Sequence, residues 1–91
     1  MSQLRDDAVR GRLEMDEQSQ VVFADYRREG RRLLIDHVEA PISLRGTGAA
    51  GRFMQALTER ARREGVTLVP ICSYAAHWLA RHPEAAAGVV D

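Results

Sequence analysis

The sequence predicts an α+β domain, and three observations carry that prediction. Apolar and polar residues alternate at period two through the first third of the chain. From Gly48 onward the apolar residues recur at helical spacing instead. The change falls between Val38 and Ala50, across a stretch punctuated by Pro41, Gly46 and Gly48.

The elements follow in the order β-β-β-α-β-α. Ala8 to Met15 alternates Val9, Gly11, Leu13 and Met15 with Arg10, Arg12 and Glu14, the pattern of a half-buried strand. Asp16-Glu17-Gln18-Ser19 reads as a polar turn. Gln20 to Arg28 carries Val21, Val22, Phe23 and Tyr26, which favour a pleated surface. Glu29-Gly30 closes a second hairpin, and Arg31 to Glu39 supplies Leu33, Leu34, Ile35 and Val38. Short turns between sequential strands predict an antiparallel meander. From Gly48 to Glu64, Ala50, Phe53, Leu57 and Ala61 form one apolar stripe with Met54 beside it, and Gly65 stops the helix. Val66 to Cys72 is a short apolar strand, and the helix before it makes a crossover to a parallel partner. Ser73 is placed to cap a second helix from Tyr74 to Arg81, and Pro83 opens a final turn through Ala87.

Composition narrows the function. Ninety-one residues, read as one domain over positions 1–91, are 45% apolar and 29% charged, ordinary for a globular chain. Thirteen basic residues balance thirteen acidic ones, so no global field draws the chain to nucleic acid or anionic lipid, and neither partner is expected. Every basic residue is arginine. Selection for bidentate anion binding and a coding bias toward arginine both fit, and the scatter of the arginines favours the bias. A single cysteine makes no internal disulfide and no thiolate metal site, which fits a reducing cytoplasm. No apolar run approaches the ~20 residues of a membrane span, and Met1 to Asp7 lacks the apolar segment of a signal peptide.

Leu44-Arg45-Gly46-Thr47-Gly48-Ala49-Ala50-Gly51 is the most informative stretch. Glycine lets main chain approach a ligand closely, and the first helical turn leaves N–H donors unpaired. Donors and helix dipole together make an anion site suited to phosphate or pyrophosphate, and Arg45 adds charge at its entrance. It is no Walker loop, since no Gly-Lys-Ser/Thr follows, and no dinucleotide fingerprint, since Gly46, Gly48 and Gly51 follow a meander rather than open a βαβ unit. A Gly-rich turn that merely starts a helix is the alternative.

Arg45-Gly46-Thr47-Gly48-Ala49-Ala50 resembles the Arg/Gln-x-x-Gly-x-Gly/Ala signature of the GNAT acetyltransferase superfamily, in its place after a strand and at the opening of a helix. More closely, residues from about Gln20 to Val90 resemble the small single-domain GNAT-like N-acetyltransferases. Asp36-His37, Pro41 with its loop, Val69-Pro70-Ile71-Cys72-Ser73-Tyr74 and Arg81-His82-Pro83-Glu84 carry that closer likeness. The resemblance implies a shortened GNAT fold without the helices that usually separate the first two strands, with acetyl-CoA as ligand. It implies that main-chain N–H groups of Arg45, Gly46, Thr47, Gly48, Ala49 and Ala50 cradle the pyrophosphate. It further implies that the strand ending near His37 and Val38 pairs with the pantetheine arm, splayed from the Val66–Cys72 strand. The chain departs from the pattern in two places. Val38 stands where the small family often has threonine. The tyrosine that larger members carry in the helix after the last shared strand falls near Ala80, which has no proton to donate, while Tyr74 lies at the helix start.

The implied reaction is acetyl transfer to a primary amine on a small molecule or protein, with a CoA- or acyl-CoA-binding module of little turnover as the alternative. Cys72, at a strand end before a helix N-terminus, is a candidate nucleophile or a contact for the cofactor sulfur; a small buried apolar residue is the plainer role. His37 is a candidate base for the amine or a wall of the pantetheine channel, against a simple hydrogen-bonded strand-end histidine. Glu39 shares its strand face if pairing is regular, and serves either to bind an ammonium and relay protons or as a solvated carboxylate. Tyr74, Trp78 and Leu79 read as helix packing before an aromatic cage, with Tyr74, at the helix start, also a candidate catalytic residue whose reach to the sulfur is left open. His77 and His82 have no partners at ligand spacing, so no metal is expected.

Overall fold

A computed structural model of the chain describes residues 4–90; Met1 to Gln3, part of the segment read above as lacking a signal, and Asp91 lie outside it. One mixed sheet is ordered β1 (Arg5–Asp7), β2 (Arg12–Glu17), β3 (Gln20–Glu29), β4 (Arg32–Glu39) and β5 (Thr67–Pro70). The first four strands form an antiparallel meander, and β5 returns parallel to β4 through helix α1 (Ala49–Glu64). A 3-10 turn (Ile42–Leu44) precedes α1, and α2 (Ser73–Arg81) and α3 (Pro83–Ala86) follow β5. No helix among the described residues is long and apolar enough to cross a membrane.

The N-terminal part corrects the sequence reading. Residues 8–11 form a turn, not the start of a strand, and Val9 is 99% exposed. Gly11 explains the break. Its φ of +63° is left-handed, its carbonyl accepts the Tyr26 N–H, and a Cβ there would lie 3.0 Å from the Tyr26 carbonyl oxygen. The chain doubles back, so Arg5–Asp7 adds an unforeseen strand antiparallel to β2. The Tyr26 hydroxyl ties that strand down by donating to Asp6 at 2.6 Å, and burial, reinforced by this bond, pushes its pKa up to about 12.

Leu13 and Met15 of β2 face Ala24 and Val22 of β3, and all four are buried. The β2–β3 connection is a two-residue turn with positive φ at both Gln18 and Ser19, the primed geometry that matches strand twist. Neither residue is glycine or asparagine, so each sits in a region that L-residues enter at a cost. Replacing Gln18-Ser19 with Asn-Gly is expected to add about 1 kcal/mol of stability. A thermal melt reads that as a Tm gain of roughly 4–8 °C.

Buried residues of α1 begin at Ala49, not Ala50, and continue through Phe53, Met54, Leu57, Thr58 and Ala61. The helix closes at Gly65, φ +69°, with the Val66 N–H on the Ala61 carbonyl. All three α-helices join the inward side chains of β2 to β5 in one core. The other sheet face is laced by cross-strand pairs, Arg5 with Asp16, Arg12 with Asp25 and Arg27 with Asp36. Strand β5 ends at Pro70, two residues short of Cys72, and helix α2 includes Ser73, so Cys72 holds the N-cap position that Ser73 was expected to fill.

Candidate functional site

Strands β4 and β5 stay paired only from Arg32↔Thr67 to Ile35↔Pro70. Beyond that point β4 runs on to Glu39 against β3 alone, while the chain after Pro70 turns into α2. The Ile71 and Cys72 N–H groups both donate to the Ile35 carbonyl at 3.0 Å and close the vertex of the resulting V. A strand edge without a ladder partner exposes peptide groups that an extended ligand can pair with.

A bulge sets which side chains flank this edge. Pairing shifts between Asp25↔His37 and Tyr26↔Ile35, so Asp36 is an extra residue on β4. Ile35 and Val38 are therefore both buried in the core, whereas His37 and Glu39 turn out to solvent. Regular alternation would have put His37 and Glu39 on the Ile35 face. The bulged Asp36 is held outward by Arg27 through two bonds of 2.7 and 2.8 Å, which also keep its carboxyl below the usual range. His37 Nε2 lies 3.0 Å from Glu39 Oε1, and the ring meets Phe23 edge-on.

The open end of the V continues into a cleft of about 440 Å³. One wall is the end of β4, from His37 to Ala40; the other is the loop and first turn of α1, with Leu44, Arg45, Gly46 and Gly48 to Gly51; Tyr74 reaches in from α2. Helix α1 has no side-chain cap and no acidic residue in its first turn. Its first intrahelical donor is the Arg52 N–H, on the Gly48 carbonyl. Among the described residues the N–H groups of Gly46, Gly48, Ala49, Ala50 and Gly51 make no backbone bond, and all five residues line the cleft. The helix dipole and the Arg45 guanidinium, which has no ion-pair partner among the described residues, add positive potential there.

Thr47 and Cys72 stand apart from the other candidates. Thr47 spends its N–H and its hydroxyl on the Leu44 carbonyl and does not line the cleft. Cys72 is half-buried against the core at the vertex, outside the cleft lining. Tyr74 does line it, and partial burial raises the pKa of its phenol. Trp78 and Leu79 are core residues; Trp78 stacks on His82 at 3.9 Å. No group of three or more metal-ligating side chains comes together among the described residues. Sequence reading missed Ala40, Leu44 and Gly51 as lining, and the Gly-x-x-Gly spacing from Gly48 was the available signal for the last.

Residues 10–88 match the family profile described as GCN5-related N-acetyl-transferase. The chain belongs to this family. Its fold is similar to the solution structure of a GCN5-like protein from Staphylococcus aureus, with a TM-score of 0.68 and 20% identity over 98% of this chain and 87% of that one. No curated protein sequence matches significantly. Three features of the cleft suit an extended anionic ligand. At Gly48 a Cβ would meet Arg52 Nη1 at a tight 3.1 Å, and the φ of +86° itself favours glycine, so backbone alone forms that part of the wall. The unpaired donors there suit a pyrophosphate, and the unpaired end of β4 suits an amide-bearing arm.

Proposed function

We propose that this chain binds acetyl-CoA in the cleft and transfers its acetyl group to a primary amine. The observation that carries the reading is the meeting of an unpaired strand edge with five unbonded N–H groups at an uncapped helix start. In this reading the Gly46 to Gly51 main chain and Arg45 hold the pyrophosphate. The His37–Val38 edge holds the pantetheine arm. Bound acetyl-CoA supplies an activated thioester carbonyl.

The remaining chemistry belongs to the side chains of the cleft. An ammonium must lose a proton before it attacks. His37, at the cleft wall and 3.0 Å from Glu39 Oε1, is the side chain assigned to accept that proton, through Nδ1 in the tautomer whose Nε2–H donates to Glu39. Tyr74, a phenol that lines the cleft, is the donor available to a departing thiolate, in place of the alanine at position 80. Cys72, outside the lining, is assigned a packing role, with transfer direct to the amine.

Calorimetry with CoA, followed by thiol release from acetyl-CoA across an amine panel, tests the reading. CoA binding with amine-dependent release is expected, and Cys72→Ala should transfer nearly as well as the parent. Binding without release toward any amine leaves a CoA-binding module, and no CoA binding removes the proposal. An acetyl adduct on Cys72 by intact mass, together with inactivity of Cys72→Ala, would replace direct transfer by a covalent route.

A further inference from the structure

We infer that Glu17, at the end of β2 and outside the cleft, is a positioning residue for the anion loop: acting through Arg52, it holds the Thr47–Gly48 peptide with the Gly48 N–H toward the cleft. The inference rests on the acetyl-CoA reading above. Arg52 Nε and Nη2 both reach Glu17 Oε1, at 2.9 and 2.6 Å, and its Nη1 donates to the Thr47 carbonyl at 3.1 Å. All three guanidinium nitrogens are thereby engaged, and the charge is matched by a carboxylate whose side chain is only 16% exposed.

In a trans peptide the carbonyl and the following N–H point in opposite directions, and no cis bond occurs among the described residues. Drawing the Thr47 oxygen toward Arg52 therefore aims the Gly48 N–H the other way. Gly48 lines the cleft and Thr47 does not. Nothing local enforces this choice, because glycine at φ +86° is free to adopt either sign of φ and so lets the peptide turn over. The inverted peptide would put a carbonyl oxygen where an anion needs a donor. The same β2–β3 hairpin braces the other flank, since Ser43 Oγ donates to Gln20 Oε1 at 2.8 Å and Gln20 pairs with Glu17 across the turn.

The sign of one substitution separates positioning from simple charge. Glu17→Ala removes a carboxylate and leaves the Arg52 guanidinium unbalanced beside the anion loop, so the field alone would tighten anion binding. Positioning requires the opposite. The expected result is a loss of CoA affinity of about tenfold or more in calorimetry, with thermal stability confirming the fold. Arg52→Lys, which keeps the charge but cannot span both acceptors, should weaken CoA binding likewise, and Glu17→Gln, which keeps an acceptor oxygen, should restore most of it. Amide-shift titration with pantetheine, which lacks the pyrophosphate, should give the same affinity in all variants. In the ligand-free protein the Gly48 HN–Hα couplings, which report φ, should change in Glu17→Ala. Unchanged or tighter CoA binding by Glu17→Ala, or equal weakening of pantetheine, overturns the inference. A parent chain that binds no CoA overturns the acetyl-CoA reading instead, and unchanged Gly48 couplings then refute the peptide clamp by themselves.

Discussion

Gly48→Asp is expected to lower CoA affinity by about a hundredfold or more, roughly 2.7 kcal/mol, while the chain stays folded. Two effects act together at the binding site. The backbone at position 48 is left-handed, and a Cβ there meets Arg52 Nη1 at 3.1 Å, disturbing a side chain that also holds the Thr47 carbonyl. The new carboxylate sits at the helix start and competes for the donors and the dipole that the pyrophosphate needs. For folding these effects offset each other only in part. A non-glycine residue in this conformation costs about 1–2 kcal/mol, and a negative charge at a helix N-terminus returns about 0.3–1 kcal/mol. Gly48→Ala separates the parts, since it carries the conformational cost without the charge and should lose less affinity. A folded Gly48→Asp chain that binds CoA like the parent in calorimetry would remove the site from this loop.

The largest expected effect on stability is Phe53→Ala, at about 3–5 kcal/mol. Phe53 is fully buried in α1, among the core residues that fasten the helix over the sheet. A 91-residue domain carries roughly 5–14 kcal/mol in total, so this single truncation removes a large share. A Tm decrease of more than about 12 °C should result. Val9→Ala is the matched control, because Val9 is 99% exposed and a surface change of this kind stays within about 0.5 kcal/mol. A Phe53→Ala melt within a few degrees of the parent would mean that α1 does not hold the core as described.

Val9 also shows where sequence reading failed. Its alternation with Leu13 and Met15 looks like one strand, yet Gly11 sits in the series as if it were merely a small inward residue. Periodicity has no term for backbone sign, so it cannot distinguish a glycine within a strand from a glycine at which the chain reverses. The same blindness hid the bulge at Asp36. An extra residue shifts the phase of one strand only relative to its neighbour, and neighbours enter only when the sheet forms. The Cys72 N-cap was misplaced by one residue because Ser73 is the better capping type, whereas β5 ends at Pro70 and the next two N–H groups are drawn to Ile35.

Sequence alone determined the fold class, the crossover helix and the Gly-rich loop that opens it in this member of the GCN5-related N-acetyltransferase family, because each depends on residues close together in the chain. Helical spacing of Phe53, Leu57 and Ala61, and glycine at 46, 48 and 65, state their requirements locally. The tertiary structure alone decided the added strand β1, the outward turn of His37 and Glu39, the position of Cys72 outside the cleft, and the brace from Glu17 to Arg52. Each of these depends on how segments meet, from the Gly11 turn held against Tyr26 to the 35 residues between Glu17 and Arg52. Local propensity is silent on such placement, and only the packed core and its hydrogen-bond register settle it.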